Sequence, residues 1–184
     1  MDCVTNTPAA LDLRPVLDNL NLVAAPVADA LLALPLESAT AVRVAPIDPG
    51  LADTAAFCAA YGVGLDRSAN CVVVAGRRGG EDRYAACVVL ATTRADVNGT
   101  VRRQLDVRRI SFAAMDDAVA RTGMEYGGIT PLGLPAEWPL LVDPSVLVPD
   151  DVVVGSGLRS SKLVLPGAVL AALPAATVLE GVGR

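Results

Sequence analysis

The feature that most restricts how this chain folds is a β-hairpin signal near its middle. Residues 71–75 form a run rich in β-branched side chains, and a second apolar run follows at residues 84–91. Between them lies the sequence Arg-Arg-Gly-Gly-Glu-Asp, residues 77–82, which is typical of a tight turn. Two strands joined so closely pair in antiparallel orientation, so the centre of the chain is predicted to form a sheet.

Weaker signals on both sides of this hairpin predict helices and further short strands. Helices are predicted at residues 52–61, 96–105, 115–122 and from about Pro166 onward. Strands are predicted at residues 109–113, 140–142, 152–154, 163–165 and 177–179. Because the helices intervene irregularly between short strands, the pattern predicts an α+β protein with a mixed sheet and not a regular βαβ series.

The first fifty residues differ in character from the remainder of the chain. Pro26 suits the first turn of a short helix that reaches Leu34, and residues 41–47 are predicted to form a strand. Six apolar side chains of this segment are expected to require burial: Leu20, Leu22, Val23, Leu31, Leu32 and Leu34. We predict a single domain over residues 1–184, in which residues 1–50 are an appended helical and strand segment on a core formed by residues 51–184.

Composition indicates a soluble cytoplasmic protein. Proline or charged residues interrupt every apolar stretch well before the ~20 residues that a spanning helix needs. The first six residues resemble no secretory signal. The four cysteines lack metal-binding spacing and are expected to be free, mostly buried thiols: Cys3, Cys58, Cys71 and Cys87. The net charge of −5 argues against non-specific nucleic-acid binding, including DNA, but is compatible with a local basic patch.

The absence of histidine excludes several kinds of chemistry. Ser-His-Asp and Cys-His catalysis and histidine-ligated zinc are all ruled out. No nucleotide-binding glycine motif is present, since residues 156–162 resemble a phosphate loop but precede a strand where that motif requires a helix. We therefore expect no metal and no organic cofactor. The chemistry that remains is done by backbone amides, hydroxyls, a carboxylate or the substrate itself.

The most unusual stretch follows the helix that is predicted to end at Gly123. It reads Gly-Met-Glu-Tyr-Gly-Gly-Ile-Thr-Pro-Leu-Gly over residues 123–133. Next come a strand, the sequence Asp143-Pro144-Ser145, a second strand and a Gly-Ser-Gly turn at residues 155–157. Over residues 50–182 this order resembles the YbaK/EbsC family, the bacterial aminoacyl-tRNA deacylase domain that is also inserted in some prolyl-tRNA synthetases.

The resemblance implies a fold, a function and a set of site residues. The family fold is a mixed, largely antiparallel, barrel-like sheet flanked by helices. The implied activity is trans-editing: hydrolysis of the ester of a mischarged aminoacyl-tRNA, with tRNA held directly or through a partner synthetase. The implied catalytic residues are Asn70, Gly127, Gly128 and Asp143. The implied substrate-binding residues are Tyr126, Ile129, Thr130, Pro131, Gly155, Ser156 and Gly157. Contacts to tRNA are predicted for Arg102, Arg103 and Lys162.

One position departs from the family pattern. Members of the family usually carry a functional lysine at the start of the strand where this chain has Asn70. Asparagine forms hydrogen bonds but brings no charge. Three explanations stay open at this point: Asn70 orients water or substrate, Arg67 or Lys162 supplies the charge, or the chain has another substrate or none.

Structural roles compete with these functional ones. The glycines suit turns and close packing, Asp143 suits a helix N-cap, and Cys58 and Cys71 suit the core. The leading hypothesis is a stand-alone aminoacyl-tRNA deacylase. The alternatives are a catalytically altered binding module for an aminoacyl- or nucleotide-like ligand or a protein partner, and a hydrolase of a different ester or amide.

Overall fold

A computed structural model of the chain describes residues 9–184. The helices are α1 (Ala25–Ala33), α2 (Leu36–Thr40), α3 (Thr54–Tyr61), α4 (Arg102–Gln104), α5 (Met115–Thr122) and α6 (Gly167–Ala171). The strands are β1 (Arg14–Pro15), β2 (Arg43–Pro46), β3 (Ala69–Arg78), β4 (Glu81–Leu90), β5 (Arg109–Phe112), β6 (Leu140–Val142), β7 (Val152–Gly155), β8 (Ser161–Leu165) and β9 (Ala176–Val178). Short 3₁₀ turns connect several of them.

The strands form two sheets, one antiparallel and one mixed. The predicted α+β class is confirmed. One sheet has the order β1-β2-β8-β7 and is antiparallel throughout. The other has the order β5-β3-β4-β6-β9, in which β6 and β9 are parallel to β4. A parallel bridge between Ser68 and Val153 joins the sheets. Within residues 9–184 the strands do not close into a continuous barrel.

The central hairpin is present and is longer than predicted. Strands β3 and β4 pair from Ala69 with Leu90 to Arg78 with Glu81. Gly79 and Gly80 form the turn with φ values of 61° and 92°, a left-handed backbone that glycine adopts without steric cost. The prediction ended the strands early because the tip of the hairpin is charged and lacks an apolar face.

The predicted helix at residues 96–105 is the main departure. Residues Val97–Val101 form a π-helical turn, and only the short helix α4 follows. The carboxylate of Asp96 accepts a 2.9 Å hydrogen bond from the Thr100 amide, which widens this turn. Helices α3 and α5 agree with prediction, and both end at a left-handed glycine, Gly62 and Gly123.

The N-terminal segment shares the main hydrophobic core. Val27, Leu31 and Val44 are fully buried against side chains of both sheets. Leu20, Leu22 and Leu34 pack at the edge of this cluster. The expectation of burial is wrong for Leu32, which is 63% exposed because it lies on the outer face of α1. The proposed domain boundaries remain a prediction.

The thiols of Cys58, Cys71 and Cys87 are free, as expected. Burial raises the pKa of all three thiols, to about 12 for Cys87, so they remain protonated at neutral pH. Cys3 and the other predictions made for residues 1–8 lie outside the described part of the chain. In that described part, no helix is long and apolar enough to cross a bilayer.

Candidate functional site

A cavity of about 380 Å³ opens where the two sheets meet, a volume within the usual range for small-molecule sites. Strand β3 forms one wall, and the segment before and at the start of α3 forms another. The loop at residues 126–129 and strand β7 face them, and the end of β5 with the start of α5 completes the rim. Residues distant in sequence therefore meet in one concave site.

Asn70 projects from the start of β3 and is held by a neighbouring hydroxyl. The Thr54 Oγ1 donates a 2.6 Å hydrogen bond to the Asn70 Oδ1. Both residues line the cavity and are half-buried. The Asn70 amide nitrogen makes no hydrogen bond to the described residues, so the pair presents a donor next to the cavity.

The glycine-rich loop is locked against the turn that follows β7. A Cβ atom on Gly128 would lie 2.7 Å from the backbone of Leu158, and one on Gly155 would lie 2.3 Å from the Gly128 carbonyl oxygen. The Gly157 amide donates a 2.8 Å hydrogen bond to that same oxygen. These approaches require glycine, because any side chain would push the two backbones apart.

Gly127 presents backbone directly to the cavity. Its φ of 84° is left-handed, and a Cβ there would lie 2.5 Å from the Arg159 Nη1. The Gly127 amide has no backbone acceptor among the described residues. An unpaired amide at the wall of a polar cavity is suited to an oxygen atom of a ligand.

Arg159 fastens this loop at the mouth of the cavity. Its Nη2 donates a 3.0 Å hydrogen bond to the Pro49 carbonyl oxygen, and its Nη1 lies 3.4 Å from the Tyr126 carbonyl oxygen. Its backbone amide donates a 2.6 Å hydrogen bond to the Glu125 carboxylate. These contacts hold the guanidinium group beside the opening.

Lys162 places a second cation deep in the same cavity. Its residue is 8% exposed, and its Nζ donates a 2.9 Å hydrogen bond to the Ala52 carbonyl oxygen and lies 5.4 Å from the centre of the Phe57 ring. No carboxylate within residues 9–184 comes within 4.0 Å of it. Burial lowers the pKa of Lys162, and the nearby Arg159 lowers it further, against an opposing effect of Asp53.

An ammonium group without a counter-ion is costly in a protein interior. The Lys162 ammonium group has three N–H donors and uses one of them in the hydrogen bond to Ala52. An anionic or strongly polar ligand group in the cavity would complete its coordination. No cluster of three or more potential metal-ligating side chains occurs among the described residues.

The structure brings together six of the residues predicted from the sequence. The cavity is lined by Asn70, Tyr126, Gly127, Ile129, Gly155 and Lys162. Gly128 and Gly157 lie directly behind its wall, where they provide the close packing of the two loops. Thr130, Pro131 and Ser156 are buried outside the lining. The Thr130 hydroxyl has no hydrogen-bond partner in the described chain, whereas that of Ser156 is bonded within its own turn.

Asp143, Arg102 and Arg103 lie outside the cavity lining. Asp143 is outside the cavity lining and caps the 3₁₀ turn Pro144–Leu147, as its alternative structural role predicted. It accepts hydrogen bonds from the Ser145 amide and hydroxyl and from the Gly183 amide. Arg102 and Arg103 are exposed on α4, outside the cavity.

Several lining residues were not identified from the sequence. Thr54, Phe112 and Met115 carried no recognisable signal, because only the three-dimensional fold brings their elements to β3. Arg159 lies within residues 156–162, the segment that superficially resembles a phosphate loop. Strand β8 begins at Ser161, so that segment is a β-turn connection and no helix follows it.

Comparison with known proteins identifies both the sequence family and the fold. The family model described as an aminoacyl-tRNA editing domain matches residues 48–173. None of the curated proteins matches the chain. Solved structures with a similar fold include a scaffold protein from epitope backbone grafting by computational design, at 21% identity and a TM-score of 0.71 over 85% of this chain and 95% of that one.

Two further structures show the same fold. A candidate trans-editing enzyme for prolyl tRNA synthetase has 20% identity and a TM-score of 0.70 over 84% of this chain and 93% of its own. A hypothetical protein has 23% identity and a TM-score of 0.67 over 78% of this chain and 91% of its own. At these identities the likeness concerns the fold.

Proposed function

Because the chain belongs to the aminoacyl-tRNA editing domain family, we propose that it is a stand-alone deacylase that hydrolyses the ester of mischarged aminoacyl-tRNA. The observation that carries this proposal is the cavity: it combines an unpaired backbone amide at Gly127, the Asn70–Thr54 pair and the buried cation of Lys162. Each of these groups can bind an oxygen atom of an ester without histidine or metal.

The reaction requires a water molecule to attack the aminoacyl carbonyl. A bond forms between the water oxygen and the carbonyl carbon, the bond from that carbon to the ribose oxygen breaks, and the ribose oxygen takes up a proton that the water releases. Negative charge develops on the carbonyl oxygen, where the Gly127 amide and the Lys162 ammonium would stabilise it. Asn70, oriented by Thr54, would position the water together with the neighbouring ribose hydroxyl of the substrate.

Lys162 also offers a replacement for the lysine that the family usually has where this chain has Asn70. The cation comes from β8 and not from β3, yet both residues line the same cavity. The positive charge that the sequence pattern lacks at Asn70 is therefore available from another strand. This supports catalysis over complete loss of activity.

The small cavity would select the amino acid by size. Its volume of about 380 Å³ must hold the aminoacyl group and part of the ribose. Val72, Val73 and Ile129 provide apolar lining. A wall of this kind discriminates mainly by excluding side chains that are too large.

The remainder of the tRNA would be held by few contacts. Arg102 and Arg103 are exposed, and no carboxylate in the described chain lies within 4.0 Å of either. We propose that they contact tRNA phosphates, directly or while the tRNA is shared with a synthetase. Replacing both by glutamine should weaken tRNA binding and reduce the salt dependence of the affinity.

One observation favours the binding module as a second candidate. Apart from Asp53, which is exposed, the cavity lining contains no carboxylate, and its thiol, Cys71, has a raised pKa. A site so poor in acid–base groups is compatible with ligand binding without turnover.

The deciding experiment measures single-turnover release of amino acid from a panel of mischarged tRNAs. The wild type is compared with Asn70→Ala and with Asn19→Ala, a half-buried asparagine outside the cavity whose side chain also makes one hydrogen bond. Release that falls in Asn70→Ala and persists in Asn19→Ala supports the deacylase. A folded wild type that releases nothing from any substrate contradicts it.

A further inference from the structure

The aromatic residues of this chain are few and unevenly placed. It has two phenylalanines, three tyrosines and one tryptophan. Phe57 and Trp138 are buried, and Tyr61 and Tyr84 are half-buried. The two exposed aromatic residues, Phe112 and Tyr126, are 65% and 60% exposed, and both line the cavity. Exposed aromatic side chains are therefore confined to this rim.

Fold stability does not account for this arrangement. Met115, 51% exposed, adds a third large apolar side chain to the same rim. Phe112 is the last residue of the edge strand β5, where its ring contributes little to the core. Water-exposed apolar groups gathered beside a polar cavity indicate a surface that is covered when a ligand binds.

Positive charge also lies at this cavity. Arg159 lies at its mouth and Lys162 lies inside it. Neither of these two cations has a carboxylate within 4.0 Å in the described residues.

We propose that Phe112 and Tyr126 form a stacking platform for the unpaired nucleobase that adjoins the scissile ester, while Arg159 at the mouth of the cavity contacts the phosphate backbone that precedes it. This inference rests on the proposed function, since it places an RNA 3′ end at the cavity. Aromatic faces bind unstacked bases of any sequence, and cations beside them bind the backbone. The arrangement explains how a protein with a net charge of −5 holds RNA locally.

A protein partner is less well matched to this surface. Its apolar part consists of three side chains around an opening and does not extend into a flat patch. Arg159 lies at that opening and Lys162 is buried inside it, where a narrow anionic strand fits better than a folded protein surface. The occupant to which we commit is therefore single-stranded RNA.

The test uses binding and does not depend on turnover. The probe is a fluorescently labelled single-stranded ribohexamer that ends in CCA, compared with the same oligomer whose terminal nucleotide lacks its base. Affinities are measured by anisotropy for the full-length wild type, for Phe112→Leu/Tyr126→Leu and for Phe112→Tyr/Tyr126→Phe. Leu36→Ala, at a residue that is 72% exposed and outside the cavity, is the matched control.

The wild type, the aromatic-retaining variant and the control should prefer the intact oligomer by roughly five- to a hundredfold. The leucine variant should lose this preference. Equal affinity of the wild type for both probes, or an unchanged preference in the leucine variant, would overturn the inference. Ester hydrolysis is assayed separately: base preference without release of amino acid contradicts the proposed function alone, and release without base preference contradicts the platform alone.

Discussion

The hydroxyl of Thr54 donates a 2.6 Å hydrogen bond to the side-chain oxygen of Asn70, so the first turn of α3 fixes the orientation of an amide at the start of β3. The two residues are sixteen positions apart and belong to different elements. Their contact determines which end of the amide is available to the cavity. If Asn70 positions the attacking water, the reaction depends on this orientation of its amide.

Thr54→Val should lower the rate of deacylation while the protein stays folded. Valine keeps the shape but removes the donor, so Asn70 loses its orientation. We expect kcat to fall by roughly ten- to a hundredfold, with a smaller change in KM. The free energy of unfolding should drop by about 1 kcal/mol. Thr54→Ser restores the hydroxyl and should restore kcat in single-turnover assays; a serine variant as slow as the valine variant would argue against this role.

Lys162→Met should separate activity from stability. Methionine removes a buried cation that has no carboxylate partner, so the free energy of unfolding should stay the same or rise by up to about 2 kcal/mol. Deacylation should fall by at least about tenfold, because stabilisation of the oxyanion is lost. Chemical denaturation and single-turnover kinetics measure the two effects. A variant that is both fully active and more stable would assign Lys162 no function.

The stability of the wild type should depend on pH through Lys162. Burial lowers the pKa of this lysine in the folded state below its ordinary value of 10.5. Between these two pKa values the unfolded chain binds more protons than the folded one, so stability rises with pH as the penalty of the buried charge is relieved. The difference in unfolding free energy between the wild type and Lys162→Met should therefore shift in favour of the wild type as pH increases toward 10.5. A difference that is independent of pH would exclude the shift.

Gly155→Ala should destabilise the protein and damage the site. The added methyl group would lie 2.3 Å from the Gly128 carbonyl oxygen, a backbone atom that cannot move aside. We expect a loss of about 1–3 kcal/mol in urea denaturation and slower deacylation. Gly50→Ala is the control, since its methyl group would meet only the Asp48 side chain, at 3.2 Å. Equal losses of stability in the two variants would show that the close approach of Gly155 to Gly128 does not require glycine.

Asp143→Ala should affect stability and spare the reaction. Asp143 caps a 3₁₀ turn and also accepts a hydrogen bond from the Gly183 amide, so its loss should cost about 1–2 kcal/mol. The rate per folded molecule should match that of the wild type. Asp48→Ala removes an exposed cap of the same kind, with a single bond to the Gly50 amide, and should cost less. A large loss of deacylation rate at unchanged stability would show that Asp143 takes part in catalysis.

Local patterns predicted most of the secondary structure because its causes are local. The glycines after α3 and α5 and the diglycine of the β3–β4 turn act within a few residues of themselves. The π-helical turn was not predicted, because the Asp96 side chain accepts a hydrogen bond from the Thr100 amide. The spacing of apolar residues at 97, 101 and 105 does not reveal such a bond. Leu32 was expected to be buried because it is apolar, whereas it lies on the exposed outer face of α1.

The site was predictable only in part, for a similar reason. Gly127 and Asn70 were identified through a family resemblance, and both line the cavity. Thr54 and Phe112 were missed because their role depends on which helix and strand lie beside β3. The chain's single lysine was noticed, but its burial next to Ala52 follows from strand pairing that no short window of sequence contains.

The first helix also reaches the back of the glycine loops. A Cβ on Gly157 would lie 2.4 Å from the Ala24 methyl group, and the Ala24 amide donates a hydrogen bond to the Ser156 carbonyl oxygen. The two positions are consequently coupled: a side chain at position 157 is tolerated only if the backbone at Ala24 moves away. Ala24 precedes the residues that match the editing family. A graft of the matched region alone onto another protein would therefore carry the cavity without the brace that holds its rear wall.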